Sequence, residues 1–210
     1  MKCVIFASAK IKKYDFLKDF NFEDFYIICA DGGLCHADAL GLSPDLWIGD
    51  GDSLGGNAPK GVETITFPAK KDFTDTDLAI QYAMEKGYTD ITIIGGLGGR
   101  IDHEFSNFCL LKKILDNGGC GTLMDENNII TMKNAPFIIE KGKMDYVSFF
   151  PFGGDVTHFS VSGMRYEVEN ITLKTGETLG VSNCFDESSK AEISFDSGYL
   201  LVISSKDITE

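Results

Sequence analysis

Short apolar runs alternate with helix-like patterns over the first 133 residues, and this alternation restricts the possible fold more than any other feature. The apolar runs have strand length and are rich in β-branched residues; they are Cys3–Ala7, Tyr26–Ala30, Leu46–Gly49, Val62–Phe67, Ile91–Ile94 and Thr122–Met124. Between them lie helical patterns near Lys12–Asp19, Gly33–Ala39, Asp75–Lys86 and Asp102–Asn117. Because helical crossovers cover both faces of a parallel sheet, this order predicts an α/β domain with a mostly parallel sheet flanked by helices.

From about residue 134 the pattern changes to short β-rich stretches separated by glycines and other turn residues. The stretches are Tyr146–Phe150, Phe159–Val161, Glu167–Leu173, Lys190–Phe195 and Tyr199–Ser204. Such a series is typical of a small antiparallel sandwich or barrel. The sequence therefore predicts two domains, an α/β domain over residues 1–133 and an all-β domain over residues 134–210.

The composition excludes several classes of protein. The 210 residues include 19 basic and 32 acidic side chains, so the formal net charge is −13, and a polyanion such as DNA would be repelled. No stretch approaches the roughly 20 apolar residues that span a bilayer. The six cysteines form no Cys-x-x-Cys pair, which favours reduced thiols over a disulfide framework or a zinc site. We expect a cytoplasmic protein that binds neither nucleic acid nor a membrane.

Acidic residues collect where the predicted strands end. They are Asp31, Asp50, Asp52, Asp72, Asp75 and Asp102. In an open parallel sheet these positions share the edge at which ligands bind. Carboxylate oxygens suit Mg²⁺, and Mg²⁺ in turn bridges phosphate oxygens. In extended backbone Asp50 and Asp52 point the same way and can face one cation, although an acidic turn would produce the same pattern.

A glycine-rich run, Gly95–Arg100, follows one predicted strand and precedes a helix. Backbone N–H groups in this position can hold phosphate, although the run matches neither the Walker motif nor the dinucleotide-binding spacing. Arg100 is a candidate for phosphate contact or for an ion pair with Asp102 or Glu104. His103 fits the start of the helix better than the role of a general base.

In this order the motifs resemble those of the thiamine pyrophosphokinase family. The matching segments are Asp31-Gly-Gly, Pro44-Asp45 with Gly49-Asp-Gly-Asp-Ser53, Lys71-Asp-Phe-Thr-Asp75, Gly95-Gly-Leu-Gly-Gly-Arg-Ile-Asp-His103, Asn107, Asn127-Asn128, Gly163-Met-Arg-Tyr166, Glu169-Asn-Ile-Thr-Leu173 and Gly180-Val-Ser-Asn183. The resemblance spans nearly the whole chain. It departs from the family at Gly51, where members more often carry a bulky apolar residue.

The resemblance implies a Rossmann-like α/β catalytic domain that binds ATP and a C-terminal β-sandwich that binds thiamine. It also implies a homodimer whose site is shared between subunits. The reaction implied is transfer of a pyrophosphoryl group from ATP to the hydroxyl of thiamine, which gives thiamine diphosphate and AMP.

The resemblance also implies roles for individual residues. Asp50, Asp52, Asp72 and Asp75 would be catalytic, and Asp50, Asp52 and Asp75 would hold Mg²⁺. ATP would contact Asp31, Gly32, Lys71, Thr74, Gly96, Gly98, Gly99, Arg100, Asp102 and His103. Thiamine would contact Asp75, Ser182 and Asn183.

Two other functions are compatible with the same motifs. One is a Mg²⁺-dependent phosphohydrolase or transferase that acts on another small alcohol. The other is a ligand sensor that has lost catalysis, for which Gly51 is the only support. Within the kinase hypothesis, Asp72, Asp75, a metal-bound group or solvent can accept the proton of the attacking hydroxyl.

Overall fold

The computed structural model describes residues 1–50, 61–68, 70 and 72–207. The chain divides into two compact units, Met1–Glu126 and Asn127–Glu210. The division falls after residue 126, whereas the predicted boundary follows residue 133. The difference has a physical cause: Asn128–Lys133 forms a strand that pairs with Leu200–Ser205 and so belongs with the second unit.

The described residues of the first unit form six strands and three α-helices. The strands are β1 (Lys2–Phe6), β2 (Tyr26–Ala30), β3 (Leu46–Gly49), β4 (Glu63–Thr66), β5 (Asp90–Ile94) and β6 (Cys120–Met124), and the helices are α1 (Leu34–Leu40), α2 (Asp75–Glu85) and α3 (Ile101–Asp116). All neighbouring strands pair in parallel, in the order β4-β3-β2-β1-β5-β6. The predicted parallel sheet with helical crossovers is therefore confirmed for this unit.

Both faces of the central strand β1 are buried, because all of its residues after Lys2 are apolar. Val4 and Phe6 pack with Ala37 of α1 in one core cluster. Helix α2 contacts β1, β2 and β3, and α3 packs on β6. The helices therefore pack on the strands as crossover helices do in a parallel sheet.

One predicted helix, Lys12–Asp19, is wrong. Only the single 3-10 turn Asp15–Leu17 forms there. Leu17 is buried, and Tyr14 and Phe16 pack against the same cluster as β1. Tertiary contacts of these side chains outweigh the local helical pattern.

In the second unit, residues up to 207 form seven strands that make antiparallel pairs. They are β7 (Asn128–Lys133), β8 (Phe137–Glu140), β9 (Tyr146–Pro151), β10 (Val156–Ser162), β11 (Val168–Leu173), β12 (Lys190–Ser194) and β13 (Leu200–Ser205). Strand β13 lies between β7 and β9, and the other four form a sheet in the order β11-β10-β12-β8. Phe149 of β9 and Val202 of β13 share one core with Phe159 of β10 and Ile193 of β12.

The mixed fold, with a parallel sheet followed by antiparallel pairing, agrees with the predicted fold class. Strands β7 and β8 were absent from that prediction. Within the described ranges, no helix is long and apolar enough to cross a membrane.

Candidate functional site

A cavity of about 570 Å³ lies at the carboxyl edge of the parallel sheet in the first unit. Ala7–Lys10 after β1 and the Gly95–Gly99 loop after β5 contribute to its wall. Strand order reverses here, because β2 lies on one side of β1 and β5 on the other. This reversal opens a crevice at which ligands bind in open α/β sheets.

Three aspartates from different elements line this cavity. Asp31 follows β2, Asp50 follows β3 and Asp75 is the first residue of α2. Asp31 has a left-handed backbone with φ of +50°, and its carbonyl oxygen accepts a hydrogen bond of 2.9 Å from Trp47 Nε1. The buried indole of Trp47 therefore anchors the turn that carries Asp31.

The aspartate side chains are oxygen donors of the kind that bind Mg²⁺. Among the described residues, no group of three or more His, Cys, Asp or Glu side chains has the arrangement of a complete metal site. Mg²⁺ often keeps water ligands and binds through one or two carboxylates plus substrate phosphates, so the donor set fits this ion without a full protein cage. Asp52, the third predicted ligand, lies outside the described residues.

The glycine loop connects β5 to the 16-residue helix α3. The N–H of Gly99 donates a hydrogen bond of 2.8 Å to Glu104 Oε1, an exposed contact that satisfies one donor at the helix start. Gly98 has φ of +80°, and no atom lies within 4 Å of the position that a Cβ would take. The loop therefore presents backbone to open space at Gly98.

Arg100 pairs with Asp102 through contacts of 2.6 and 3.1 Å. These hydrogen bonds lower the pKa of Asp102 and raise the pKa of Arg100. Both side chains are largely exposed, so solvent screens the pair and leaves Arg100 accessible to a ligand. The structure thus contains the ion pair that was one of the two predicted roles of Arg100.

Most of the described residues predicted for the site line the cavity; these are Asp31, Asp50, Thr74, Asp75, Gly96, Gly98, Gly99, Arg100 and His103. Among the described residues, Gly32, Asp72 and Asp102 lie outside the lining. Gly32 lies beside Ser8, Asp72 is exposed before α2, and the Asp102 carboxylate is bonded to Arg100. Lys71 and Asp52 fall outside the described part of the chain.

Several lining residues had no predicted role in the site; they are Ala7, Ser8, Ala9, Lys10, Phe73, Thr76, Glu104 and Asn107. The segment after β1 could have been predicted from the sequence, because the residues that were predicted for the site also follow strands. Asn107 belongs to the motifs of the resemblance, and it donates a hydrogen bond of 2.8 Å to the carbonyl of Gly96. This buried contact ties α3 to the glycine loop.

The predicted thiamine residues Ser182 and Asn183 lie in the second unit. Asn183 is buried; its Oδ1 accepts from the N–H groups of Tyr166 and Cys184, and its Nδ2 donates to the Tyr166 carbonyl. Ser182 is exposed, has φ of +58° and donates its N–H to Ser148 Oγ. The side-chain amide of Asn183 therefore stabilises the turn, and Ser182 is an exposed residue of that turn.

A second cavity, of about 300 Å³, lies beside this turn within the second unit. Tyr166, Val181 and Asn183 line it together with side chains of the unit's core. Tyr166 is largely exposed and Val181 is 43% exposed; their apolar surfaces suit contact with an aromatic ligand.

Comparison with known proteins identifies both units. Residues 17–119 match the family model "Thiamin pyrophosphokinase, catalytic domain", and residues 137–200 match "Thiamin pyrophosphokinase, vitamin B1 binding domain". The thiamine pyrophosphokinase of Bacillus subtilis (strain 168) is 34% identical over 174 residues, which cover 80% of this chain and 81% of that protein.

Solved structures give the same result. The crystal structure of the Bacillus subtilis enzyme superposes with a TM-score of 0.89 at 30% identity, over 99% of this chain and 100% of that one. Thiamin pyrophosphokinase from Geobacillus thermodenitrificans gives a TM-score of 0.88 at 28% identity, over 100% and 99% of the two chains. Because the family models, the sequence relative and the solved structures all match, this chain belongs to the thiamine pyrophosphokinase family of enzymes.

Proposed function

We propose that this enzyme transfers a pyrophosphoryl group from ATP to the hydroxyl of thiamine, giving thiamine diphosphate and AMP. Family membership supports the reaction. The single structural observation that carries the proposal is the cavity in which Asp31, Asp50 and Asp75 meet the glycine loop. Transfer of this kind depends mainly on positioning and charge neutralisation, which acidic residues with a bound cation and a backbone cradle provide.

The nucleotide phosphates are proposed to lie against the glycine loop and the start of α3. Gly96, Gly98, Gly99, Arg100 and His103 line the cavity there. Backbone N–H groups and the positive end of the helix dipole attract phosphate at such a position. Asp31, Gly32, Thr74 and Asp102 complete the proposed ATP site, together with Lys71 on the grounds of sequence alone.

Mg²⁺ is the proposed cofactor. Asp50 and Asp75 would hold it, joined by Asp52 from the sequence prediction, because their carboxylates supply the oxygen donors that Mg²⁺ prefers. When bound, Mg²⁺ would neutralise negative charge on the phosphate oxygens.

The chemical step is a displacement at the β-phosphorus of ATP. The thiamine hydroxyl oxygen bonds to this phosphorus, and the bond from the phosphorus to the oxygen bridging it to the α-phosphorus breaks. AMP leaves with that electron pair, while the hydroxyl proton passes to a base. We favour Asp75 over Asp72 as this base because Asp75 lines the cavity and Asp72 lies outside its lining.

The second unit is proposed to supply thiamine contacts through Ser182, with Asn183 holding the turn. Its match to a vitamin B1 binding domain supports this assignment. We also propose that the first unit is Rossmann-like and that the second is a β-sandwich. The reversal of strand order at β1 and the core shared by strands of both antiparallel groups support these descriptions.

A cytoplasmic location and a homodimer with a shared site complete the proposal. The six free cysteines support a reducing compartment. Sedimentation of the purified protein tests the dimer directly.

The reaction is tested by incubating the protein with ATP, Mg²⁺ and thiamine and following nucleotides and thiamine esters by chromatography. We expect equal amounts of AMP and thiamine diphosphate. Asp75→Asn is expected to reduce the rate by about 100-fold or more, because both the proposed base and a proposed Mg²⁺ ligand are lost. Asp50→Asn and Asp52→Asn test the metal assignment by the same assay.

Asp116→Asn is the matched control, since this carboxylate lies at the far end of α3 and pairs with Lys112. Its rate is expected to equal that of the unmodified enzyme. Release of ADP, or AMP release that does not depend on thiamine, would contradict the proposal. A panel of other small alcohols separates this function from a transferase of different specificity.

A further inference from the structure

His36 is a buried histidine on α1 that does not line the nucleotide cavity. Its side chain is 2% exposed, and burial lowers its pKa. Nε2 lies 3.0 Å from the carbonyl oxygen of Ala9, and Nδ1 lies 2.8 Å from the hydroxyl of Tyr14. Because a carbonyl only accepts, Nε2 carries the proton, and in the neutral ring Nδ1 accepts from Tyr14.

Ala9 links this histidine to the cavity wall. It belongs to the segment Ala7–Lys10 that lines the cavity after β1. Its N–H donates a hydrogen bond of 2.8 Å to the carbonyl of Gly95, the first residue of the glycine loop. Both backbone polar groups of Ala9 are therefore held, one by the loop and the other by His36.

The imidazole also sets the space available to the glycine loop. A Cβ on Gly95 would lie 3.0 Å from His36 Nε2 and 2.5 Å from the Ala7 carbonyl oxygen. Helix α1 can come this close because Gly33, just before it, has no side chain. A Cβ on Gly33 would lie 2.0 Å from the Phe6 carbonyl oxygen. Because Gly33 and Gly95 have no side chains, His36 can lie close to both Ala7–Lys10 and the glycine loop.

We infer that His36 is a positioning residue for ATP: through Ala9 it fixes the segment Ala7–Lys10 against the glycine loop and so sets the shape of the nucleotide subsite. The inference rests on the proposed function. It assigns His36 no contact with ATP, thiamine or the reacting atoms.

Two amide substitutions separate the two hydrogen bonds of His36. In His36→Gln the amide nitrogen takes roughly the place of Nε2, so the bond to Ala9 is kept and the bond from Tyr14 is lost. In His36→Asn the shorter amide takes roughly the place of Nδ1, so the bond to Ala9 is lost. Both variants bury one amide, which makes them matched controls for each other.

We expect His36→Asn to raise KM for ATP by about tenfold relative to His36→Gln, the effect of losing one hydrogen bond that orders the site. The values of kcat and of KM for thiamine are expected to agree within about twofold between the variants. Calorimetric titration with a non-hydrolysable ATP analogue gives the affinity independently of turnover.

A purely structural role would lower the melting temperatures and leave KM for ATP equal in the two variants, and that result would overturn the inference. If the wild type neither binds the analogue nor forms thiamine diphosphate, the proposed function fails. If the wild type does both and the variants do not differ, only the inference fails.

A measurement on the wild-type protein covers the case in which the variants do not fold. The ¹⁵N resonances of the His36 ring are expected to shift when the ATP analogue binds, because the ring is bonded to the wall of the subsite. Unchanged resonances at saturating analogue would overturn the inference.

Discussion

Glycines of the Gly95–Gly99 loop serve different physical purposes, although they look alike in the sequence. A Cβ on Gly95 would collide with the Ala7 carbonyl, and one on Gly96 would lie 2.7 Å from Leu123 Cδ1. These two glycines allow close packing within the protein. At Gly98, by contrast, the surroundings are open, so its backbone is available to a ligand.

This difference predicts the stability of two alanine variants. Gly95→Ala and Gly98→Ala both place a side chain in the left-handed region, at φ of +74° and +80°, which costs about 1–2 kcal/mol. Gly95→Ala must also displace backbone, at a further cost of about 1–3 kcal/mol. Urea titration measures the free energy of unfolding, and equal losses in the two variants would contradict the steric account.

Much of the candidate site could be predicted from the sequence, because residues with suitable side-chain chemistry stand at the ends of predicted strands or at a helix start. Asp31, Asp50 and Asp75 were found this way, and they line one cavity. Ala7–Lys10 follows a predicted strand and could have been predicted in the same way, whereas His36 could not, because its role depends on backbone contacts and on packing between distant segments. A carbonyl bonded to a histidine 27 residues away leaves no local pattern in the sequence.

Helix α2 illustrates what local sequence decides at the scale of an element. Its predicted start at Asp75 is confirmed, and Thr74 Oγ1 accepts a hydrogen bond of 3.1 Å from the N–H of Asp77. Asp75 and Asp77 in the first turn favour the positive end of the helix dipole. The cap also fixes the point at which Asp75 enters the cavity.

Removal of this cap is expected to weaken the helix. Thr74→Ala should lower the free energy of unfolding by about 1 kcal/mol, because the N–H of Asp77 loses its acceptor. Thr74→Ser keeps a hydroxyl in the same place and is expected to retain most of the stability. Chemical denaturation monitored by circular dichroism distinguishes them; a serine variant as unstable as the alanine variant would argue against capping.

Other elements depend on contacts that local patterns do not contain. Tyr14 bonds His36 and packs with Phe16 against the core, so the segment near Lys12–Asp19 forms a 3-10 turn where helical spacing predicted a helix. Strands β7 and β8 pair with β13 and β12, which lie at least 50 residues further along the chain. Their assignment requires the tertiary structure.

At the scale of the whole molecule, the charge of −13 gives the two proposed substrates opposite long-range interactions. Thiamine is a cation and is attracted, whereas the ATP complex is an anion and is repelled. Raising the ionic strength from about 0.01 M to about 0.15 M shortens the screening length from about 30 Å to about 8 Å.

We expect KM for thiamine to rise at least about twofold over this range, while KM for ATP stays level or falls and kcat is unchanged. Steady-state kinetics at constant free Mg²⁺ measures the three constants. Potassium chloride and potassium glutamate should give the same result if screening is the cause. A thiamine KM that is independent of salt would show that charge does not guide this substrate.

The pairing of β7 with β13 has a consequence for biosynthesis. Asn128 lies opposite Ser205, 77 residues later, whereas the strands of the first unit are complete at Met124. At translation rates of roughly 5–20 residues per second, β7 is synthesised roughly 4–15 s before its partner strand. During this interval its unpaired edge can attract strands of other chains. The nascent chain is therefore most prone to aggregation after its first unit has formed.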